Sequence, residues 1–179
     1  MWRNDQPPAR RLAIDALLLA AAMLFSYVES LLPLSLLIPI PGLKPGLCNV
    51  VIFLALSFAG IPDAAAVSVL RVLLSSVLFG NLSGFLFSLL GSVCSLLVQI
   101  ILLCFLRGRF SPFAVCIASA MFHNLGQLIA TGLLYGFSVA GAYAFYLLTV
   151  AVPCGVLTGL VVTFVISPVK KLLFRERTI

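Results

Sequence analysis

Long apolar stretches, separated by short segments rich in Pro, Gly or charge, dominate the chain. Stretches of this length predict membrane-spanning helices. Six are predicted, over approximately Leu12–Leu32, Gly46–Ala59, Asp63–Leu78, Leu82–Leu106, Pro112–Leu134 and Val139–Ser167. The second and third are short, and Gly60-Ile61-Pro62-Asp63 between them is typical of a turn. The predicted fold class is therefore an all-α membrane protein with six transmembrane helices.

Composition and charge agree with one polytopic membrane domain. Hydrophobic residues make up 63% of the 179 residues and charged residues only 9%, whereas soluble domains carry about 25% charged residues. Most of the basic residues lie in three clusters, at positions 3–11, 107–109 and 170–177. With six crossings and a cytoplasmic N-terminus, all three clusters fall on the cytoplasmic side, as the positive-inside rule requires. The prediction is a cytoplasmic basic N-terminus (1–11), a six-helix bundle (12–167) and a cytoplasmic basic tail (168–179), without a nucleic-acid partner.

Glu29, Arg71 and His123 are ionisable residues within apolar stretches, which makes them candidates for function. Gln127 follows His123 by one helical turn and shares its face. The predicted heights of the helices bring a larger set together in the outer half of the bundle: Glu29, Lys44, Asn49, Arg71, His123, Asn124 and Gln127. These residues could line a solute site open to the exterior. The alternative is structural, with a Glu29–Arg71 ion pair and hydrogen bonds that tie the helices together.

The candidate site contains more positive than negative charge, because Lys44 and Arg71 outnumber Glu29. Arginine can bind a carboxylate or phosphate through two parallel hydrogen bonds, so an anionic or phosphorylated solute is expected. No D-D-x-x-D run, metal-spaced His/Cys cluster or Walker-type loop is present in the sequence. The five cysteines form no C-x-x-C pair and are expected to be buried apolar residues. We therefore expect a noncatalytic protein without a metal or cofactor.

Several motifs resemble those of the Gx transporter family, whose members are also labelled heptaprenyl diphosphate synthase component I. They are Glu29-Ser30, the loop from Pro41 to Asn49, Arg71 with Gly80, and His123-Asn124-Leu125-Gly126-Gln127. The resemblance extends from about Leu12 to Ile166. Within the loop this chain has Pro45 where the family often has Leu after the Lys.

That family is similar to the substrate-binding S components of energy-coupling factor (ECF) importers. The similarity implies a six-helix membrane fold with a solute pocket near the outer face. It also implies docking to a transmembrane subunit with two ATPases through small residues of the first helix, which Ala16 and Ala20 match. On this basis the chain is expected to be a transporter component in a bacterial plasma membrane, taking up a small vitamin, cofactor or isoprenoid-related solute. The alternatives are a noncatalytic membrane subunit of a polyprenyl diphosphate synthase complex and a structural membrane scaffold.

Overall fold

The computed structural model of the protein describes residues 7–31, 44, 46–79, 82–106 and 109–174, with side chains up to position 169. Within these ranges the chain is helical and contains no strand, which confirms the all-α prediction. The helices are α1 (Pro8–Leu31), α2 (Asn49–Phe58), α3 (Ile61–Phe79), α4 (Leu82–Ile100), α5 (Pro112–Tyr135) and α6 (Phe137–Phe174). A π-helical turn, Ile101–Phe105, continues α4.

Five helices are long and apolar enough to cross a membrane, namely α1, α3, α4 with its π-helical turn, α5 and α6. These five confirm a multi-pass membrane protein. The predicted second crossing, Gly46–Ala59, contains only the ten-residue helix α2. At about 1.5 Å per residue, α2 is roughly half as long as the hydrocarbon core is thick. This helix alone is therefore too short to be counted as a crossing.

Local sequence explains where several helices begin and end. The Ser111 hydroxyl accepts a hydrogen bond from the Ala114 amide at 3.2 Å, and Pro112 occupies the first turn of α5. Such a capping residue followed by proline is a typical helix start. Gly136, at φ 98°, ends α5 one residue before α6 begins. α6 extends beyond the predicted Ser167 to Phe174. Pro153 and Pro168 both lie inside this helix, and neither ends it.

α2 lies at the centre of the bundle, and nine of its ten residues are buried. On one side, Val51, Ile52 and Ala55 pack against Ala22 of α1 and Val67 of α3. On another side, the packing partners belong to α5 and α6, and the cluster is formed by Val50, Phe53, Leu54, Phe58, Val115, Cys116 and Val162. Leu, Val and Phe side chains of the longer helices are exposed, as expected for surfaces that face lipid. α2 is thus shielded by protein while its neighbours face the bilayer.

Glycines allow α5 to pack closely against α4 and α6. A Cβ atom on Gly126 of α5 would lie only 2.4 Å from the Leu90 carbonyl oxygen of α4. A Cβ on Gly155 of α6 would lie 2.8 Å from the Ile117 Cα of α5. Small residues at such crossings are typical of helix packing in membranes, where backbones approach closely. This packing fixes the α4 and α5 faces that carry most of the polar side chains.

Candidate functional site

The three ionisable residues singled out in the sequence are all buried within the bundle. The exposed fractions of Glu29, Arg71 and His123 are 3%, 2% and 2%. None of them faces lipid. Because burial of an ionisable group is costly without partners, the contacts of each one determine what it can do.

The Glu29 carboxylate holds the chain segment that leads into α2. One carboxylate oxygen, Oε1, accepts a hydrogen bond from the backbone amide of Leu47. The other oxygen, Oε2, lies 3.5 Å from the Cys48 thiol, which is also 3.2 Å from the Ser26 hydroxyl. Cys48 therefore contacts two polar side chains of α1, a role that its apolar sequence context did not predict.

Arg71, near the middle of α3, reaches across to α4. Its Nη2 donates a hydrogen bond to the Ser92 hydroxyl. Ser92 follows Gly91, and Gly91 lies against the imidazole of His123. The guanidinium is thereby held beside the residues of α5 that the sequence had grouped with it.

His123 is enclosed by two glycines and joined to Gln127. Cβ atoms on Gly46 and Gly91 would lie 2.9 Å and 2.7 Å from the ring. The Gln127 Nε2 lies 2.9 Å from His123 Nε2 and donates a 2.7 Å hydrogen bond to the Lys44 carbonyl oxygen. A carbonyl oxygen only accepts, so the group facing it is the NH₂ of the amide, and His123 Nε2 must accept from the same group. The imidazole is therefore neutral and carries its proton on Nδ1.

Three charges are close enough to act on one another. The Lys44 ammonium is attracted by Glu29 and repelled by Arg71, and the Glu29 carboxylate is attracted by both cations. Burial lowers the pKa of Lys44 below its usual value of 10.5, because desolvation outweighs the attraction of Glu29. With one negative and two positive groups beside a neutral imidazole, the site has a formal net charge of +1.

Several buried polar atoms around His123 find no hydrogen-bond partner among the described residues. At the grouped residues these atoms are Arg71 Nε, Asn49 Nδ2, His123 Nδ1 and Gln127 Oε1. Arg11 Nε, Ser88 Oγ and Gln99 Oε1 also lack a partner in the described part of the chain. Asn49 Nδ2 and the His123 ring both lie against Gly46. Buried polar atoms are nearly always satisfied in proteins, so this concentration of unsatisfied atoms distinguishes the region from ordinary interhelical hydrogen bonding.

A second polar group lies further along the same faces of α4 and α5. Gln99 Nε2 donates to the Ser119 hydroxyl at 2.6 Å and lies 3.4 Å from the Asn49 carbonyl oxygen. The Ser95 and Ser119 hydroxyls are 2.7 Å apart. In the sequence, Ser88, Ser95 and Gln99 follow one another at steps of seven and four residues, which places them on one face of α4, but their partner on α5 has no such signal. These contacts link α2, α4 and α5.

Two other sets of predicted residues lie elsewhere. Asn124 Nδ2 donates a 2.7 Å hydrogen bond to the Leu147 carbonyl oxygen, so this side chain joins α5 to α6. Ala16 and Ala20 are exposed on the surface of α1. Of the predicted site residues, the structure groups Glu29, Lys44, Asn49, Arg71, His123 and Gln127, while Asn124 faces α6. No group of three or more His, Cys, Asp or Glu residues in the described ranges could hold a metal ion.

Comparison with known families supports one part of the resemblance noted in the sequence, the heptaprenyl diphosphate synthase component I family. A sequence profile described as heptaprenyl diphosphate synthase component I matches residues 18–167. The chain belongs to this family. No curated protein and no solved structure matches it. The matched range includes every residue that the structure groups at the site.

Proposed function

We propose that this member of the heptaprenyl diphosphate synthase component I family is the solute-binding membrane component of an importer, similar to an ECF S component. The observation that carries the proposal is the group of unsatisfied buried polar atoms around His123. If these side chains served only to join helices, their polar atoms would be bonded to neighbouring helices. A bound solute would instead supply the missing hydrogen-bond partners. The solute is a small anionic vitamin, cofactor or isoprenoid-related molecule.

The position of the site fits a substrate that enters from one side of a membrane. The basic residues at positions 3–11, 107–109 and 170–177 favour cytoplasmic termini in a bacterial plasma membrane. In that orientation the number of crossings is even, so we propose that α2 belongs to a sixth crossing. Glu29, Lys44 and Asn49 then lie toward the outer end of the bundle, where an external solute would arrive.

Energy for uptake would come from partners, because the chain carries no ATP-binding motif. Ala16 and Ala20 are exposed four residues apart on α1 and offer a surface on which another transmembrane subunit could pack closely. The proposed partners are an ECF-type transmembrane subunit and its two ATPases. Replacing Ala16 and Ala20 together by Leu should abolish co-purification of these subunits while the solute is still retained.

The family description favours a second candidate, a noncatalytic membrane subunit of a heptaprenyl diphosphate synthase complex. In that role the chain would bind a soluble prenyltransferase and contribute no catalytic residue. Affinity purification from membranes distinguishes the two. Recovery of ATPase subunits supports the importer, and recovery of a prenyltransferase supports the synthase subunit.

Mass spectrometry of small molecules that co-purify with the protein tests the solute site directly. We expect one solute at close to one molecule per chain, and we expect Arg71→Ala to abolish its retention. Arg109→Ala is the matched control because Arg109 is exposed and outside the site. Thermal unfolding of each variant separates loss of the solute from loss of the fold. Equal retention by the Arg71→Ala and wild-type proteins would contradict the proposal.

A further inference from the structure

The unsatisfied atoms around His123 are mostly hydrogen-bond donors. Arg71 Nε and Asn49 Nδ2 can only donate, and His123 Nδ1 is a donor because Nε2 accepts from Gln127. Gln127 Oε1 is the one atom of this group that can only accept, since the Gln127 Nε2 is used by Lys44 and His123. A ligand that satisfies the group must therefore offer mainly acceptor atoms, and one donor.

The charge of the site restricts the ligand further. Glu29, Lys44 and Arg71 have a formal net charge of +1, and the Arg71 side chain is buried. An uncompensated buried charge is strongly unfavourable. A ligand with one negative charge would neutralise the site, whereas a cation would raise the net charge to +2.

We propose, on the basis of the solute-binding function above, that the recognised end of the solute is a singly charged oxyanion next to a hydroxyl or N–H group. The oxyanion accepts hydrogen bonds from Arg71 Nε, Asn49 Nδ2 and His123 Nδ1. The adjacent hydroxyl or N–H donates to Gln127 Oε1. Hydroxycarboxylates, aminocarboxylates and singly charged phosphate esters with a free hydroxyl belong to this class.

Four small probes test the charge and the donor separately. Glycolate carries one carboxylate and a hydroxyl, acetate lacks the hydroxyl, acetamide is the neutral counterpart of acetate, and ammonium is a cation. Each is titrated against the purified full-length protein in nanodiscs at constant ionic strength, and the thermal unfolding midpoint is followed. Saturable stabilisation should be strongest with glycolate and weaker with acetate. It should be absent with acetamide and ammonium.

Variants assign the effect to the site. Arg71→Gln should weaken glycolate binding about tenfold or more, as expected for loss of a charge-assisted hydrogen bond. Arg109→Gln should leave it unchanged, and any general salt effect will appear equally in both variants. Arg71→Lys keeps the positive charge but lacks the Nε donor, so it should bind glycolate with an affinity between those of the wild-type protein and Arg71→Gln. If Arg71→Gln does not fold, Arg71→Lys is the variant to compare with the wild-type protein.

Specific outcomes would overturn this inference. They are equal stabilisation by acetate and acetamide, stabilisation by ammonium, no carboxylate-specific effect, or an effect that persists in Arg71→Gln. These results are separable from the importer proposal. A retained solute that is neutral or cationic would agree with the importer proposal and contradict oxyanion recognition. Glycolate binding without any retained or imported solute would agree with oxyanion recognition and contradict the importer proposal.

Discussion

The backbone amide of Leu47 donates a hydrogen bond to the carboxylate of Glu29, eighteen residues earlier in the chain. This bond joins α1 to the segment that enters α2. The same segment is joined to α5, because Gln127 donates to the Lys44 carbonyl oxygen. Lys44 and Gly46–Cys48 are thus held from two helices beside His123. The predicted polar residues of α1, the loop and α5 therefore belong to one connected group.

Replacing Glu29 should loosen this segment. Glu29→Ala removes the acceptor of the Leu47 amide, and Cys48, now 1% exposed, should become accessible. In a variant that keeps only Cys48, we expect N-ethylmaleimide to react several-fold faster after Glu29→Ala. Ser30→Ala is the control, since the Ser30 hydroxyl bonds only within α1, to the Tyr27 carbonyl oxygen. Unchanged labelling would show that Glu29 does not restrain the segment.

Gly91 should not tolerate a side chain. A Cβ at this position would lie 2.7 Å from the His123 Cε1, so Gly91→Ala must displace the imidazole. Overpacking of this kind typically costs about 1–3 kcal/mol in stability, and solute retention should fall as well. Gly141→Ala on α6 is the control, because its Cβ would meet no atom within 4 Å. Thermal unfolding and retained solute measured on both variants check this, and equal effects at the two glycines would contradict it.

Binding of an anion should weaken at alkaline pH because of Lys44. Burial and the proximity of Arg71 lower the pKa of this ammonium below 10.5, so it loses its positive charge at a lower pH than an exposed lysine. A bound anion stabilises the protonated form, and linkage then requires the affinity for that anion to fall as pH rises through the lowered pKa. Glycolate titrations from pH 7 to pH 10 should reveal this decrease. Lys44→Arg, which stays charged, should remove it, and an unchanged decrease in that variant would exclude Lys44 as the cause.

Ser119 should contribute to stability without contributing to binding. Its hydroxyl accepts from Gln99 and contacts Ser95, whereas Arg71 bonds to a different serine of α4, Ser92. Ser119→Ala should destabilise the protein by about 1 kcal/mol, the usual size of a hydrogen bond between membrane helices. Solute retention should remain near the wild-type level. Thr149→Ala, whose hydroxyl is exposed and bonds within α6 to Phe145, should change stability less. Loss of solute in Ser119→Ala would extend the site to this second polar group.

Hydrophobic patterning was sufficient to predict the long helices. The start of α5 at Pro112 and the start of α4 at Leu82 agree with the sequence, since each follows a clear break in the apolar pattern. The extent of α2 was harder to predict, because a helix buried on every side has no polar face to mark its period. The continuation of α6 past Ser167 and through Pro168 also had no local signal.

The candidate site was predictable in its ionisable members but not in its contacts. Glu29, Arg71 and His123 were conspicuous because charge is rare in apolar stretches. A hydrogen bond from Arg71 to Ser92 could not be predicted, since Ser92 is one of many small residues in α4. The role of Asn124 was equally inaccessible, because its partner is a main-chain carbonyl that any residue at position 147 would provide. Hydrogen bonds to main-chain atoms cannot be predicted from which residues occur at which positions.

The central position of α2 has a consequence for biogenesis. Ten residues are too few to partition into a bilayer as an independent span, so this helix gains its apolar surroundings from other parts of the polypeptide. Part of those surroundings is supplied by Val115 and Val162, which leave the ribosome long after Phe58. The packing around α2 is therefore complete only after α5 and α6 have been synthesised, so final assembly of the bundle follows synthesis of its last two helices.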